Sequence, residues 1–383
     1  MDKVEEVLSR VVEEIFPNKA SLEKLMCSKK IRVYLGVDPT GIKLHLGHSI
    51  PLRKLQEFAS LGHKAILLFG TGTVLAGDPS QRGKTRLKIT RKQIAENIKT
   101  WKEQAAKIID FDKVQIKYNG DWLLKLTYTN IINIASNISS VQLFKRDMFR
   151  ERIERGDTVW AHETLYPLFQ GYDSVVMDVD LEIGGTDQTF NMLIGRELQK
   201  KMANRNKYVL ATPLISGTDG KPMSKTSENC IWLTDTASEM FGKLMSINDN
   251  QIETYWKLLT NLPEADLNKN KPMDTKKRLA SEIVRTYHDK NAAQKAQSEF
   301  ENIFQKRLKP KGVSQIKIER SQWDIIDFLI EQGLTSSRSE AKRLLDQGAI
   351  EIGGQVFKDH QVEFKDGQIL RVGKKKFVRI EVR

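Results

Sequence analysis

The sequence predicts an α/β protein: a Rossmann-like, doubly wound and mostly parallel sheet, then an α-helical stretch, then a small α+β unit. Three observations carry this. Short β-rich runs alternate with helix-length segments from about residue 31 to residue 214. From 228 to 308 apolar residues recur every three to four positions without clear strands. From 321 onward two helical patterns give way to short strands.

The elements follow in order. Residues 4–16 read as an amphipathic helix. "IRVYLGV" (31–37) reads as a buried strand, ended by Asp38-Pro39. A helix is expected from Gly47 to Ser60, and "KAILLFG" (64–70) is a second strand. A helix over 91–109 leads to a third strand, "VQIKY" (114–118). "SVVMDV" (174–179) reads as a fourth, followed by a helix over 187–202 and then "KYVLATPL". Sheets of this kind bind ligands beyond the carboxyl ends of their strands. "VDPTGIKLHLGH" (37–48) leaves the first such end and enters a helix, so it sits where a ligand would lie. The stretch 308–319 contains Pro310 and Gly312, lacks strong periodicity and reads as a linker. The expected domains are 1–227, 228–308 and 321–383, with a linker over 309–320.

Composition sets bounds. A chain of 383 residues suits two or three domains at roughly 100–200 residues each. The formal charge of +13 suits a polyanionic partner as well as simple solubility. Six basic residues and no acid fall in "QRGKTRLKITRK" (81–92), which can equally be a solvated helix entrance. Cys27 and Cys230 make neither a disulfide framework nor a metal spacing, so a reducing, cytoplasmic setting is expected. No apolar run of about 18 residues is present, so no membrane span is expected. The start, with its early acids, reads as neither a signal nor a transit peptide.

His45 and His48 lie three apart at the expected helix start, on one face. Two imidazoles do not fill a tetrahedral metal site, and no Cys or carboxylate cluster in the sequence completes one, so no metal ligand is assigned. A general base is conceivable, but no nucleophile elbow accompanies it. Anion binding is the third reading: a helix start offers free N–H groups and positive dipole, and Gly47 keeps bulk away. Downstream, "GTDGKPMSKTSEN" (217–229) is a polar, glycine-containing loop with Lys221 and Lys225, suited to clamping phosphate, or else an ordinary surface loop.

Together these stretches resemble the HIGH and KMSKS signatures of class I aminoacyl-tRNA synthetases. "YLGVDPTGIKLHLGH", "AGDPSQRGKTR", "LYPLFQGYD" and "LEIGGTDQTFN" resemble the tyrosyl-tRNA synthetase family more narrowly, in order and over essentially the whole chain. Pro222 departs from the pattern, standing where the first lysine of KMSKS is expected; Lys221 is a candidate substitute and Lys225 matches the second lysine.

The resemblance implies two steps. Tyrosine is activated by ATP to tyrosyl-adenylate and pyrophosphate, and the tyrosyl group then passes to the 3′ end of tRNA(Tyr). It implies catalytic roles for His45, His48, Arg82, Arg86, Lys221 and Lys225, with Mg2+ accompanying ATP. Tyr34 and Asp173 match the pair that holds the phenol. A site built to hydrogen-bond a hydroxyl rejects the analogue lacking it, a rule best known from this same family. Asp78, Tyr166 and Gln170 match the ammonium group's partners, Gln188 a residue near the carboxylate, and Thr73 and Asn119 the pocket lining. Gly36, Asp38, Thr40, Gly47, Gly185, Asp187, Met223 and Ser224 join the histidines and Lys225 as ATP-side positions, Asp38 facing the amino acid as well. The tail resembles the RNA-binding domain of small-subunit ribosomal protein four, with Ser337, Arg338, Lys342 and Arg343 on its basic face, and Lys374 to Lys376 adding charge. The segment 228–308 is then an anticodon-recognition domain, and a homodimer with no membrane partner is implied. Two rivals remain: a tryptophanyl relative, and a degenerate RNA-binding paralogue.

Overall fold

A computed structural model of the chain describes residues 3–78, 89–144, 147–223, 228–302, 314–373 and 376–382, in two units that divide between Gln297 and Ser298. The first is built on six strands: β1 Glu14–Phe16, β2 Arg32–Val37, β3 Lys64–Phe69, β4 Val114–Tyr118, β5 Leu181–Gly185 and β6 Tyr208–Thr212. Their order is β1-β6-β5-β2-β3-β4, parallel throughout except for β1 against β6. The apolar runs of β2, β3 and β5 are buried, as strands covered on both faces require. The chain moves outward from β2 through β3 to β4, then returns to the other flank of β2 with β5. The carboxyl ends of β2 and β5 therefore face a topological switch point, the favoured ligand crevice of such sheets.

The helices of this unit are α1 Lys3–Val7, α2 Lys19–Ser28, α3 Leu46–Ser60, α4 Thr73–Ala76, α5 Arg91–Ala105, α6 Gly120–Leu123, α7 Tyr128–Ala135, α8 Ser140–Phe144, α9 Asp147–Glu154, α10 Ala161–Met177, α11 Thr189–Ala203, α12 Ala237–Met245, α13 Ile252–Leu259, α14 Pro272–Tyr287 and α15 Lys290–Phe300, the last crossing into the second unit. Sequence-legible caps start several of them. Thr90, Thr127 and Thr236 each accept from the N3 backbone N–H, while Gln93, Asn130 and Glu239 reach back. Helices α12 to α14 pack within the first unit; α13 lies against α3, and Arg53 of α3 donates to the Leu259 carbonyl and, at 2.6 Å, to Asn261 Oδ1.

Three expectations are corrected. Residues 4–16 are not one helix: α1 ends at Val7, and Glu14–Phe16 pair with β6. The residue before Pro17 is disfavoured in helix, and an open sheet edge takes up the apolar pair. Residues 174–177 belong to α10, because this β-branched run continues the helix's packing against α11; the fourth strand of the parallel core is instead Leu181–Gly185. The segment read as linker contains β7 Ser314–Ile318, which pairs parallel with the last strand. Its alternation, with Ile316 and Ile318 on the core side, is a strand signal that Pro310 and Gly312 obscured.

The second unit adds β8 Gln322–Asp324, α16 Ile325–Glu331, α17 Arg338–Asp346, β9 Ile350–Ile352, β10 Gln355–Val356, β11 Gln361–Glu363, β12 Ile369–Val372 and β13 Lys376–Val382. Its five-stranded sheet has the order β10-β9-β12-β13-β7, and a core around Phe328, Leu345, Phe364 and Leu370 holds α16 and α17 in place.

Candidate active site

The His45–His48 stretch is a helix start held by backbone pairing. His45 is the N-cap residue of α3, in extended conformation. Leu46 N–H donates to Ile231 O at 2.9 Å, Leu233 N–H donates to Leu44 O at 2.8 Å, and His45 bridges Trp232 antiparallel. The imidazole centroids stand 3.8 Å apart. His48 Nδ1 accepts the His45 backbone N–H at 3.2 Å, so in a neutral ring the proton sits on Nε2, a donor. A Cβ on Gly47 would lie 2.9 Å from His45 Nδ1, so glycine here makes room for the ring. Among the described residues no group of three or more His, Cys, Asp or Glu is placed to hold a metal ion.

The same backbone pairing ties α3 to the segment that follows the lysine loop. Gly217 N–H donates to Lys221 O at 2.7 Å and Met223 N–H to Ile215 O at 3.3 Å, flanking a bridge between Ser216 and Pro222. Pro222 thus occupies a ladder position that needs no N–H, which is why proline fits there. Asn229 Nδ2 donates to Asp219 Oδ1 at 2.8 Å and to Pro222 O at 3.1 Å, closing the hairpin; the first of these bonds holds the Asp219 carboxyl below its usual range. Lys221 is exposed and Met223 half-buried, while Ser224 and Lys225, like Arg82 and Arg86, lie outside the described residues.

At the carboxyl ends of β2 and β3 a line of polar side chains forms. Tyr166 OH donates to Asp38 Oδ2 at 3.1 Å, and Thr73 Oγ1 donates to Asp38 Oδ1 at 2.8 Å. Asn119 Nδ2 donates to Thr73 Oγ1 and to Asp173 Oδ2, each at 3.0 Å, and its Oδ1 accepts the Gly72 N–H at 2.7 Å. Trp122 Nε1 donates to Asp173 Oδ1 at 2.8 Å. Five sequence-predicted positions, Asp38, Thr73, Asn119, Tyr166 and Asp173, are therefore joined. Asp38, expected to face both the adenylate and the amino acid, is bonded to two tyrosine-side residues. Burial pushes the Asp173 carboxyl well above the usual carboxylate range, against the bonds from Asn119 and Trp122 that favour the anion. Burial, then the nearby Asp38 and Asp78 charges, raise the Tyr166 phenol. Carboxylates converging on one hydroxyl suit a cationic group.

A second cluster lies at the end of β5. Gln188 Nε2 donates to Asp78 Oδ2 at 3.0 Å and to Asp187 Oδ2 at 3.1 Å, and Asn191 Nδ2 donates to Gln188 Oε1 at 2.9 Å. Gly36 is exposed at the end of β2, Gly185 ends β5, and Thr40 N–H donates to Asp38 O at 2.8 Å.

Behind these, a buried group joins the predicted Tyr34 and Gln170 to three residues that sequence reading missed, Ser174, Glu182 and Lys207. Tyr34 OH and Ser174 Oγ are 2.9 Å apart, Lys207 Nζ donates to Ser174 Oγ at 2.8 Å, and Lys207 forms a buried ion pair with Glu182. Gln170 Nε2 donates to Glu182 Oε1 at 3.0 Å. Burial raises the Tyr34 phenol, as do the Glu182 and Asp173 charges, and burial lowers Lys207 while Glu182 opposes it. A charged residue inside the apolar strand "LEIGG" was the available signal. Trp122 and Trp232 carried none.

In the second unit Ser337 N-caps α17, its Oγ accepting the Glu340 N–H at 3.2 Å, and Arg338 pairs with Asp327 at 2.5 Å. Lys342 and Arg343 are exposed on the same helix. Lys376 Nζ donates to Leu334 O at 2.7 Å, while Lys374 and Lys375 lie outside the described residues.

Known proteins resemble this chain in sequence and in fold. The profile of the tRNA synthetases class I (W and Y) matches residues 26–305, and that of the tyrosine–tRNA ligase SYY-like C-terminal domain matches 304–380. A tyrosine–tRNA ligase of Thermotoga maritima is 42% identical over 386 residues, covering 98% of this chain and 96% of the relative. Tyrosine–tRNA ligase 2 of Vibrio cholerae is 40% identical, covering 98% of each. Among solved structures, a truncated mitochondrial tyrosyl-tRNA synthetase of Aspergillus nidulans shares the fold with a TM-score of 0.66 at 22% identity, over 79% of this chain and 93% of that one. That of Archaeoglobus fulgidus, complexed with L-tyrosine, does so at 0.61 and 21%, over 77% and 99%.

Proposed function

The chain belongs to the tyrosine–tRNA ligase family of class I tRNA synthetases, and from that membership we propose how its first unit activates tyrosine and its second holds tRNA. Its activity is that of an ATP-dependent aminoacyl-tRNA ligase. The observation that carries the residue-level reading is the bonded line from Tyr166 through Asp38, Thr73 and Asn119 to Asp173. It supplies carboxylates for an ammonium group at one end and a buried acceptor for a phenol at the other. Tyr34 and Asp173 hold the phenol; Asp78, Tyr166 and Gln170 receive the ammonium; Gln188 lies by the carboxylate.

The tyrosine carboxylate attacks the α-phosphorus of ATP, forming an O–P bond as the bond to pyrophosphate breaks. Negative charge builds on the phosphates beside the start of α3, where His45, the His48 Nε2–H and the helix dipole favour it. Lys221 and Lys225 from the loop, with Arg82 and Arg86, meet the departing pyrophosphate. Little covalent work falls to the protein, so positioning and charge dominate. A terminal ribose hydroxyl of the tRNA then attacks the activated carbonyl, and AMP leaves. Magnesium travels with the ATP phosphates: imidazole and ammonium donors suit phosphate oxygens, whereas a resident Mg2+ asks for carboxylate oxygens.

Lys342 and Arg343 are placed on tRNA phosphates. Exposed apolar side chains in the segment beyond the edge strand β4, Leu124, Tyr128, Ile132, Val141, Phe144, Ile153 and Trp160, support a homodimer contact there. Both cysteines are unbridged, in keeping with a reducing, cytoplasmic setting. Among the described residues no helix is long and apolar enough to cross a membrane.

Pyrophosphate exchange into ATP tests the reading. Tyrosine alone should stimulate it. Stimulation by tryptophan would point to the tryptophanyl rival, and a response to no amino acid would leave an RNA-binding paralogue.

A further inference from the structure

The buried Lys207–Glu182 pair lies behind the tyrosine site and touches both of its ends. Glu182 is on β5 opposite Tyr34 on β2, in parallel register, so both side chains leave the same sheet face. That face is covered by α10, which carries Gln170, Asp173 and Ser174. Room for the ammonium comes from Gly195 on α11, where a Cβ would stand 2.6 Å from Lys207 Nζ. A buried ion pair is a weak source of stability, because an apolar pair of similar volume commonly serves as well. Its geometry points elsewhere.

A carboxylate only accepts. Glu182 Oε1 takes the Gln170 Nε2–H at 3.0 Å, so the Gln170 carboxamide must turn its oxygen the other way. That oxygen is buried and accepts no hydrogen bond among the described residues, leaving it for a donor such as an ammonium group. On the other arm Lys207 donates to Ser174 Oγ at 2.8 Å and forces the Ser174 proton away from itself. The nearer acceptor is Tyr34 OH at 2.9 Å, against Glu182 Oε2 at 3.5 Å. With its oxygen accepting from Ser174, Tyr34 has its own proton to donate, and Glu182, the carboxylate within its reach, is already taken up by Lys207 and Gln170. We propose that Glu182, paired with Lys207, is the positioning residue of the tyrosine site: it turns the Gln170 oxygen toward the ammonium and, through Lys207 and Ser174, aims the Tyr34 proton at the phenol oxygen. The inference rests on the proposed placement of tyrosine.

The test is pyrophosphate exchange by the full chain, with tyrosine and with phenylalanine. Ser174→Ala breaks only the phenol arm. Glu182→Gln alone strands a buried ammonium and invites misfolding, so Glu182→Gln is combined with Lys207→Met. In Ser174→Ala KM for tyrosine should rise about tenfold and the kcat/KM ratio of tyrosine to phenylalanine should fall about tenfold, one net hydrogen bond; the double variant loses both arms, so its KM for tyrosine should rise about a hundredfold with the same fall in the ratio, and KM for ATP should be unchanged in both. A group that only supports the fold would lower Tm without moving that ratio. Variants with wild-type circular dichroism, KM and ratio overturn the inference. Failure of the placement itself reads differently: Asp173→Ala would then keep wild-type tyrosine activation.

Discussion

Tyr34 on β2 and Glu182 on β5 are register partners, and Lys207 and Ser174 join them behind the site. Space for that group depends on two helices meeting closely: a Cβ on Gly195 would lie 2.6 Å from Lys207 Nζ and 3.1 Å from Gly171 Cα. Gly195→Ala should therefore destabilise the protein by about 1–3 kcal/mol, the usual cost of overpacking. Thermal or denaturant unfolding measures it; an unchanged Tm would mean that α10 and α11 separate freely.

Asp173 makes a pH prediction. Burial raises its carboxyl, so the anion that accepts the phenol proton forms only above the ordinary carboxylate range. Raising pH creates the acceptor, so KM for tyrosine should fall as pH rises through that limb. KM for ATP should not follow it. In Asp173→Ala the limb should vanish and tyrosine activation should be weakened sharply. The profile is read by exchange kinetics across the acid range.

Lys221 stands next to Pro222 in the hairpin, whose Ile215 side chain lies 3.5 Å from where a Cβ on Gly47 would stand, beside His45. If it replaces the missing loop lysine, Lys221→Ala slows adenylate formation by about tenfold or more, the scale of losing one charged contact to a developing charge. Single-turnover formation of tyrosyl-adenylate is the measurement, and an unaltered rate removes Lys221 from the mechanism.

The apolar face beyond β4 should carry the dimer. Val141→Asp on exposed α8 is expected to shift the chain toward monomer in analytical ultracentrifugation, with its circular dichroism preserved. Sedimentation identical to wild type would move the interface elsewhere.

Lys342 and Arg343 are exposed on α17 while Arg338 is paired with Asp327. Replacing the first two by alanine should raise KM for tRNA and flatten its dependence on salt, because phosphate contacts release counterions. Tyrosine-dependent exchange should stay as in wild type, since that step needs no tRNA.

Much of this was legible in the chain. Short β-rich runs announce parallel strands, and the Asp-Pro turn before the glycine-containing HLGH stretch announces a helix start, so β2, β3, β4 and α3 fall within a residue of where expected. The α10 run "SVVMDV" misled because β-branched residues look alike in a buried helix and a buried strand; packing on α11 decided. β1 and β7 were missed because each gains its partner from a segment far away in the chain.

The candidate site divides the same way. His45, His48, Asp38, Asp78, Tyr166 and Asp173 stand in local motifs, so the sequence by itself determined the family and which residues are proposed to meet the ligand. Only tertiary structure decided their hydrogen-bond partners. Glu182, Lys207 and Ser174 come from β5, the start of β6 and α10, and nothing in their spacing joins them. A buried charge needs a partner wherever the fold can bring one, and strand register and helix packing, not sequence proximity, brought Lys207 to Glu182 behind Tyr34.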